Sequence, residues 1–323
     1  MRLQHIARFQ RPSAIGAVAA ALVLLVCSDG SSAGIEGSGR FANVISFGRI
    51  TTSGNSISVD GVEYRLSHAQ IEVDGLSGKA SQLQVGQIVT VQSMVTGATS
   101  GNATNVTYTG NVIGPVSQVD VAGSELTVLG QTVKVDGTTL FGEGIPAGGL
   151  TGLAVGTSVE VSAFVAASGD LMASRIDLQS PGTALQVEGA VEDLNTGAQT
   201  FQVNGLEIDY SQASVDGQLA NASTATVWAD ESPSAGTLHA TRVQLSSGIG
   251  GAKGEQGRLA GLVTSIASSS AFDVGDQSVV TDANTHFVLH GQTLAPNLAV
   301  RVKGVFNATG ALVAESVIAA PTH

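Results

Sequence analysis

From residue 44 to residue 320 the 323-residue chain repeats itself four times, with a period of about 70 residues. Such a chain builds several copies of one small unit, not one large core. Each unit opens with a Gly followed two residues later by a β-branched residue: Gly48/Ile50, Gly114/Val116, Gly189/Val191 and Gly261/Val263. An alternating strand comes next, at Ile57–Gly61, Leu126–Gly130 and Phe201–Gly205; the fourth copy, Phe272–Asp276, loses the final Gly. Then stands Leu-x-x-Gly-x-x-Val-x-Val, at Leu83–Val91 and Leu153–Val161. In Leu294–Val302 its Gly becomes Asn297; in Leu219–Val227 it becomes Ala222, and the first Val becomes Ala225. A Gly-x-Leu stretch running into Val or Ile closes the units at Gly169–Ile176, Gly236–Val243 and Gly310–Val317, with a weaker copy at Gly101–Val106.

The alternation of apolar and polar residues buries one face of each strand and wets the other. Gly after the second marker permits the positive φ of a tight hairpin. Five or so short strands in about 70 residues cannot make a large sandwich. Closing them into a small barrel buries one face and removes open edges. The expected core is Phe47, Ile57, Val59, Leu83, Val89 and Val91 in the first unit. In the second it is Leu126, Val128, Leu153, Val159 and Val161. The reading is all-β: four tandem small OB-like barrels at 44–110, 111–182, 183–247 and 258–320, with a Gly-rich linker at 248–257. Short connections between the first three units suggest that chain neighbours pack end to end.

The start of the chain reads as an address. Arg2, Arg8 and Arg11 precede an apolar run, Ala14–Val26, too short for a comfortable membrane span. Leu24-Leu25-Val26-Cys27 resembles a bacterial lipobox, in which the Cys is lipidated and becomes the mature N-terminus; Val26 departs from the small residue usual there. Residues 1–26 are then a signal peptide and 27–43 a Gly/Ser-rich tether. A cut after Ala33, within Ser31-Ser32-Ala33, and an uncleaved anchor are the alternatives. With Cys27 the only cysteine, no internal disulfide can form.

These markers, with the export signal and tether, resemble the bacterial family called domain of unknown function 5666. Gly130-Gln131-Thr132-Val133, Thr139-x-Phe141 and Thr285-x-Phe287 fit its pattern, whereas Ala69-x-Ile71 and Ala213-x-Val215 depart from it. The resemblance implies an OB-like five-stranded barrel, in tandem copies within an exported lipoprotein. It brings no catalytic residue.

The charge narrows the partners. The chain carries 14 Lys+Arg against 26 Asp+Glu, a net charge of −12. Removal of residues 1–26 takes three arginines and no acid, leaving 11 against 26, or −15. Nucleic acid is disfavoured, because its binding needs Lys and Arg to displace counterions, and aromatics are few. The membrane is reached only through the lipid anchor. No cofactor motif occurs: Gly78-Lys79 lacks the phosphate-loop spacing, and Gly30-Ser31-Ser32-Ala33-Gly34 lies in the tether.

The site candidates are few. His286 and His290, four apart, would share a strand face and with Asp282 offer metal ligands; two solvent-facing polar positions are the plainer account. Trp228 is either a platform for a sugar ring or a packing residue, in a core or between repeats. Glu192-Asp193 and Asp230-Glu231 are adjacent carboxylates that point to opposite strand faces and make poor acid/base pairs. The expectation is a non-enzymatic envelope protein that binds an envelope protein or glycan. The alternatives are a periplasmic carbohydrate- or small-ligand-binding protein, and an enzyme with an unrecognised acidic site.

Overall fold

The computed structural model describes residues 42–320, apart from 96, 98, 147, 181 and 247. Cys27, the signal segment and the tether up to residue 41 lie outside the described residues. There is no α-helix among the described residues, only two short 3-10 turns at Ala80–Gln82 and Gly149–Gly152.

In the first barrel the strand Ala42–Thr52 pairs antiparallel with Ser56–Val59, and that strand with Val62–Arg65. Val62–Arg65 pairs parallel with Ser100–Tyr108. Ser100–Tyr108 pairs antiparallel with Ile88–Val95, which returns to Ala42–Thr52 and closes the ring. Five strands in the order 1-2-3-5-4-1, with one parallel contact, form a closed OB-like barrel. The second barrel has the same order, from Val112–Asp120 to Leu171–Leu178. So does the fourth, from Gln256–Ser268 to Leu312–Ala319. In the third, the first strand is divided into Leu185–Ala190 and Glu192–Asn195, and the last into Thr237–His239 and Arg242–Leu245. The fourth barrel takes Gln256 and Gly257 from the expected linker, and the first takes Ala42 and Asn43 from the expected tether.

The repeated sequence markers meet in space. In each barrel the β-branched residue of the opening marker exchanges two backbone hydrogen bonds with the turn of the Leu-x-x-Gly marker. The amides of Gly86, Gly156, Ala222 and Asn297 donate to the carbonyls of Ile50, Val116, Val191 and Val263. Each carbonyl's own residue donates back to Gln87, Thr157, Ser223 or Leu298, and all eight bonds measure 2.7–2.9 Å. The turn residue is left-handed in all four: φ is 98° at Gly86, 88° at Gly156, 67° at Ala222 and 68° at Asn297. Ala222 and Asn297 keep the conformation without the glycine. The Thr139 and Thr285 hydroxyls also act alike, donating to the Ala173 and Ala314 carbonyls at 2.8 and 2.7 Å.

The expected core residues are buried, with one exception. Phe47 is only half-buried and packs, with Ile45, against the core of the fourth barrel. The cause is a parallel pairing of Ala42–Thr52 with Gln256–Ser268, from Val44 opposite Gln256 to Phe47 opposite Leu259. The other sheet fusion joins barrels 2 and 3, where Gln186 and Val187 lie opposite Ile113 and Val112. Barrels 2 and 3 accordingly share one apolar core. End-to-end packing of chain neighbours is thus only part of the arrangement, since the first barrel's sheet partner is the last.

Candidate ligand cleft

The fused sheet of barrels 2 and 3 has an inner face of valines and an outer face that carries the site. Residues directly opposite on neighbouring strands project from the same face. Following the register outward gives one row: Arg242 opposite Trp228, Trp228 opposite Gln186, Gln186 opposite Ile113, Ile113 opposite Glu160, and Glu160 opposite Asp177. Six strands at about 4.8 Å spacing make this row roughly 24 Å long. All six residues line one cleft of about 970 Å³. The facing wall comes from barrel 1, with Asp74 and Leu76 on the 70–77 hairpin, Gln82 and Gln84 after it, and Tyr108.

The row is deepest in its middle. Gln186, Ile113 and Glu160 are 0%, 3% and 7% exposed, whereas Trp228, Arg242 and Asp177 at the ends are half-buried. The Arg242 guanidinium lies over the Trp228 ring, 4.1 Å from its centroid. At the other end Arg175 binds Asp177 through Nε and Nη2, both at 2.6 Å. Arg175 also donates to the Val85 carbonyl at 3.0 Å and to Gln84, which ties barrel 2 to barrel 1. The connection between barrels 1 and 2 crosses the floor, where the Gly110 amide donates to Asp74 Oδ1 at 2.9 Å and the Gln186 amide group donates to the Gly110 carbonyl.

Two oxygens in the deep middle have no hydrogen-bond partner: Glu160 Oε1 and Gln186 Oε1. The other Glu160 oxygen accepts from the Gln179 side chain. Burial, then the nearby Asp74 charge, raise the Glu160 carboxyl to about 7, against the Tyr108 phenol, which favours the ionised form. Burial also raises the Tyr108 phenol well above its ordinary value, so it stays neutral and able to donate. The Asp74 carboxyl is raised by burial as well.

The structure places Trp228 at this cleft, where it also reaches barrel 1: a side chain built on Gly75 would lie 3.3 Å from Arg242 and 3.6 Å from the Trp228 ring. Trp228 therefore packs between barrels, and the exposed part of its ring lines the cleft. His286 and His290 are not brought together with Asp282 in a site. His286 lies on the short strand His286–Val288, but His290 sits in the following turn with φ 50°, so the expected shared strand face is not formed. Asp282 accepts from the Asn284 amide at 2.8 Å. Among the described residues no group of three His, Cys, Asp or Glu side chains is arranged to hold a metal ion. Glu192, Asp193, Asp230 and Glu231 are all exposed, away from the cleft lining.

Sequence reasoning passed over Glu160 and Gln186. One signal was available for the first: Glu160 is the middle residue of its Val-x-Val marker, where the other copies have Thr90, Thr226 and Arg301. Only in the second barrel does that outward position carry a carboxylate.

A family model described as "Domain of unknown function (DUF5666)" matches residues 113–177, 188–244 and 260–318. These stretches are barrels 2, 3 and 4; barrel 1 shares their strand order and backbone clasp. No curated protein matches the chain. Among solved structures, "drosophila Unr CSD456" is 12% identical, with 63% of this chain and 97% of that one covered and a TM-score of 0.20.

Proposed function

The chain belongs to the family described as Domain of unknown function (DUF5666), and from that premise we propose that it is a non-enzymatic cell-envelope protein, lipid-anchored at Cys27, that binds a ligand in the three-barrel cleft. The observation that carries this reading is the outward row from Arg242 to Asp177. A sheet face inside a bundle of barrels would ordinarily be filled by apolar packing. Here it is left as a cleft of about 970 Å³ with an aromatic, amides and carboxylates along it. Its length suits an extended ligand better than a compact metabolite.

The basic, then apolar, start and Leu24-Leu25-Val26-Cys27 support export and anchoring. Palmitate labelling of the wild type and its loss in Cys27→Ser test the anchor. Acidity supports a partner other than nucleic acid. Glu160 and Asp177 are cross-strand neighbours, the kind of carboxylate pair a hydrolase uses. Asp177 is held by Arg175 at 2.6 Å, however, which favours binding over acid/base work.

A glycan is the reading that Trp228 favours. A half-exposed indole opposite Gln186 offers a sugar ring a stacking plane, and Gln82, Gln84, Gln87 and Gln179 along the same cleft offer an extended chain amide partners. The test is retention from envelope extract on the immobilised full-length mature protein. Wild type retains material that Trp228→Ala and Leu76→Trp both lose; Leu76 is 71% exposed on the cleft wall, so enlarging it fills the cleft without disturbing a core. Equal recovery on all three proteins removes the cleft as the binding site.

A further inference from the structure

We infer that the deep middle of the cleft, between Gln186 and Glu160, takes a protonated primary amine carried by the ligand. The inference rests on the cleft being a ligand site and deepens that reading. Three observations converge on it.

The first is the pair of unpartnered oxygens. Gln186 and Glu160 are more than nine-tenths buried, both line the cleft, and each has an oxygen with no partner at hydrogen-bond geometry, the Tyr108 phenol being, besides Gln179, the one protein donor close enough to act on Glu160. A buried polar atom without a partner is costly, and what these two require is a donor. A primary ammonium carries three donors and no acceptor, which suits a site whose two open acceptors stand on strands either side of Ile113. A neutral hydroxyl brings only one.

The second is charge. Asp74, Glu143, Glu160 and Asp177 line the cleft against Arg242 alone. Arg242 is occupied on the Trp228 ring and by Gln244, and Arg175, just outside the lining, is spent on Asp177 and Gln84. With Asp177 held by Arg175, the negative charge that a cation meets in the middle is that of Asp74 and, above a pH of about 7, of Glu160, and the cation relieves the repulsion between those two. An anionic ligand would meet the opposite.

The third is what surrounds the oxygens. Trp228 stands directly opposite Gln186, about 5 Å away along the row, where its ring can cover the body that carries the amine.

Trp228 is the only tryptophan in the chain, so its emission reports on this cleft alone. The full-length mature protein is titrated at constant ionic strength with glucosamine and 1,5-diaminopentane. Glucose and N-acetylglucosamine serve as neutral counterparts, and choline as a cation without N–H donors. Expected is a saturable change with the two amines, at least about tenfold weaker with the neutral sugars and with choline. Glu160→Gln should weaken the amines by about tenfold. Asp74→Asn repeats the charge removal from the opposite wall, and circular dichroism verifies that both variants fold. Neutral sugars as effective as amines would overturn the amine while leaving the cleft as a binding site. A response unaffected by either variant, or no saturable response to either amine, would also overturn it. The extract-retention comparison then decides separately whether the cleft binds at all.

Discussion

The smallest feature that decides this fold is one turn residue. At Gly86, Gly156, Ala222 and Asn297 the chain takes a left-handed conformation so that its amide can reach back to the opening strand. Gly adopts it freely, Asn tolerates it, and Ala does so at a cost of about 1 kcal/mol. At Gly156 a side chain would meet nothing within 4 Å, so any penalty there comes from φ alone. Gly156→Val should therefore lower stability by about 1–3 kcal/mol, read as a lower melting temperature by circular dichroism. The reverse change, Ala222→Gly, should raise it by up to about 1 kcal/mol, or be neutral where the freer unfolded chain offsets the relief. A loss of stability in Ala222→Gly would contradict the turn assignment. The role of these positions was legible in the sequence from the Gly copies, and the Ala and Asn copies looked like departures. Glu160 and Gln186 were not legible as a site, because what joins them to Trp228 is register between strands far apart in sequence.

At the scale of the strand, the opening Gly of barrels 2, 3 and 4 is small for a steric reason, whereas at Gly48 an added β-carbon would stay 3.3 Å from its nearest neighbour. The first strand bends across its barrel, with a register irregularity just after the Gly, between Ile50 and Thr52 in barrel 1 and between Val116 and Gln118 in barrel 2. A β-carbon at Gly114 would lie 2.7 Å from Leu129 Cγ; at Gly189 it would lie 2.6 Å from Val203, and at Gly261 2.8 Å from Val274. The bend brings the strand too close to its hairpin for any side chain. Gly114→Val should cost at least about 1–3 kcal/mol by overpacking, measured by urea denaturation. An unchanged midpoint would mean that the strand relaxes away from Leu129. The strands themselves were readable from alternation, and the hairpins from Asp60-Gly61, Leu129-Gly130 and Asn204-Gly205, where φ is positive at both residues. In the fourth copy the positive φ sits at Gly275, the first turn position, so the glycine of that turn stands one residue earlier than in the other copies.

Across the whole molecule, carboxylates gather where barrels meet. Asp74 comes from barrel 1, Glu160 from barrel 2, Glu188 from barrel 3 and Asp276 from barrel 4. Burial raises all four; Asp74 adds to the effect on Glu160, and Asp276 and Asp74 add to that on Glu188, which reaches about 8. Asp276 keeps much of its surface open to solvent and Glu188 some of it, so Glu160, 7% exposed, carries the argument. The folded carboxyl holds its proton to about 7, whereas an ordinary one releases it near 4.5. The folded state thus binds more protons between those values. Its contribution to stability is present below 4.5 and is lost as the pH rises through 7. Glu160→Gln should match the wild type near pH 5 and exceed it by about 2–3 kcal/mol at pH 8, in thermal melts at the two pH values. A variant no more stable than wild type at pH 8 would show that Glu160 is well solvated. None of this gathering was readable beforehand, since periodicity reveals the repeats and says nothing of how they sit against one another. The parallel contact of Val44–Phe47 with Gln256–Leu259 is the clearest case, for no local signal links the first copy to the last.

That contact also sets an order of events. A ribosome delivers Ala42–Thr52 long before Gln256, so the outer edge of the leading strand has nothing to bond with while three further barrels are being made. An open edge is a template for whatever strand arrives first. At high concentration the strand that arrives can belong to a neighbouring molecule, and two chains that close each other's edges in this way would form an exchanged pair.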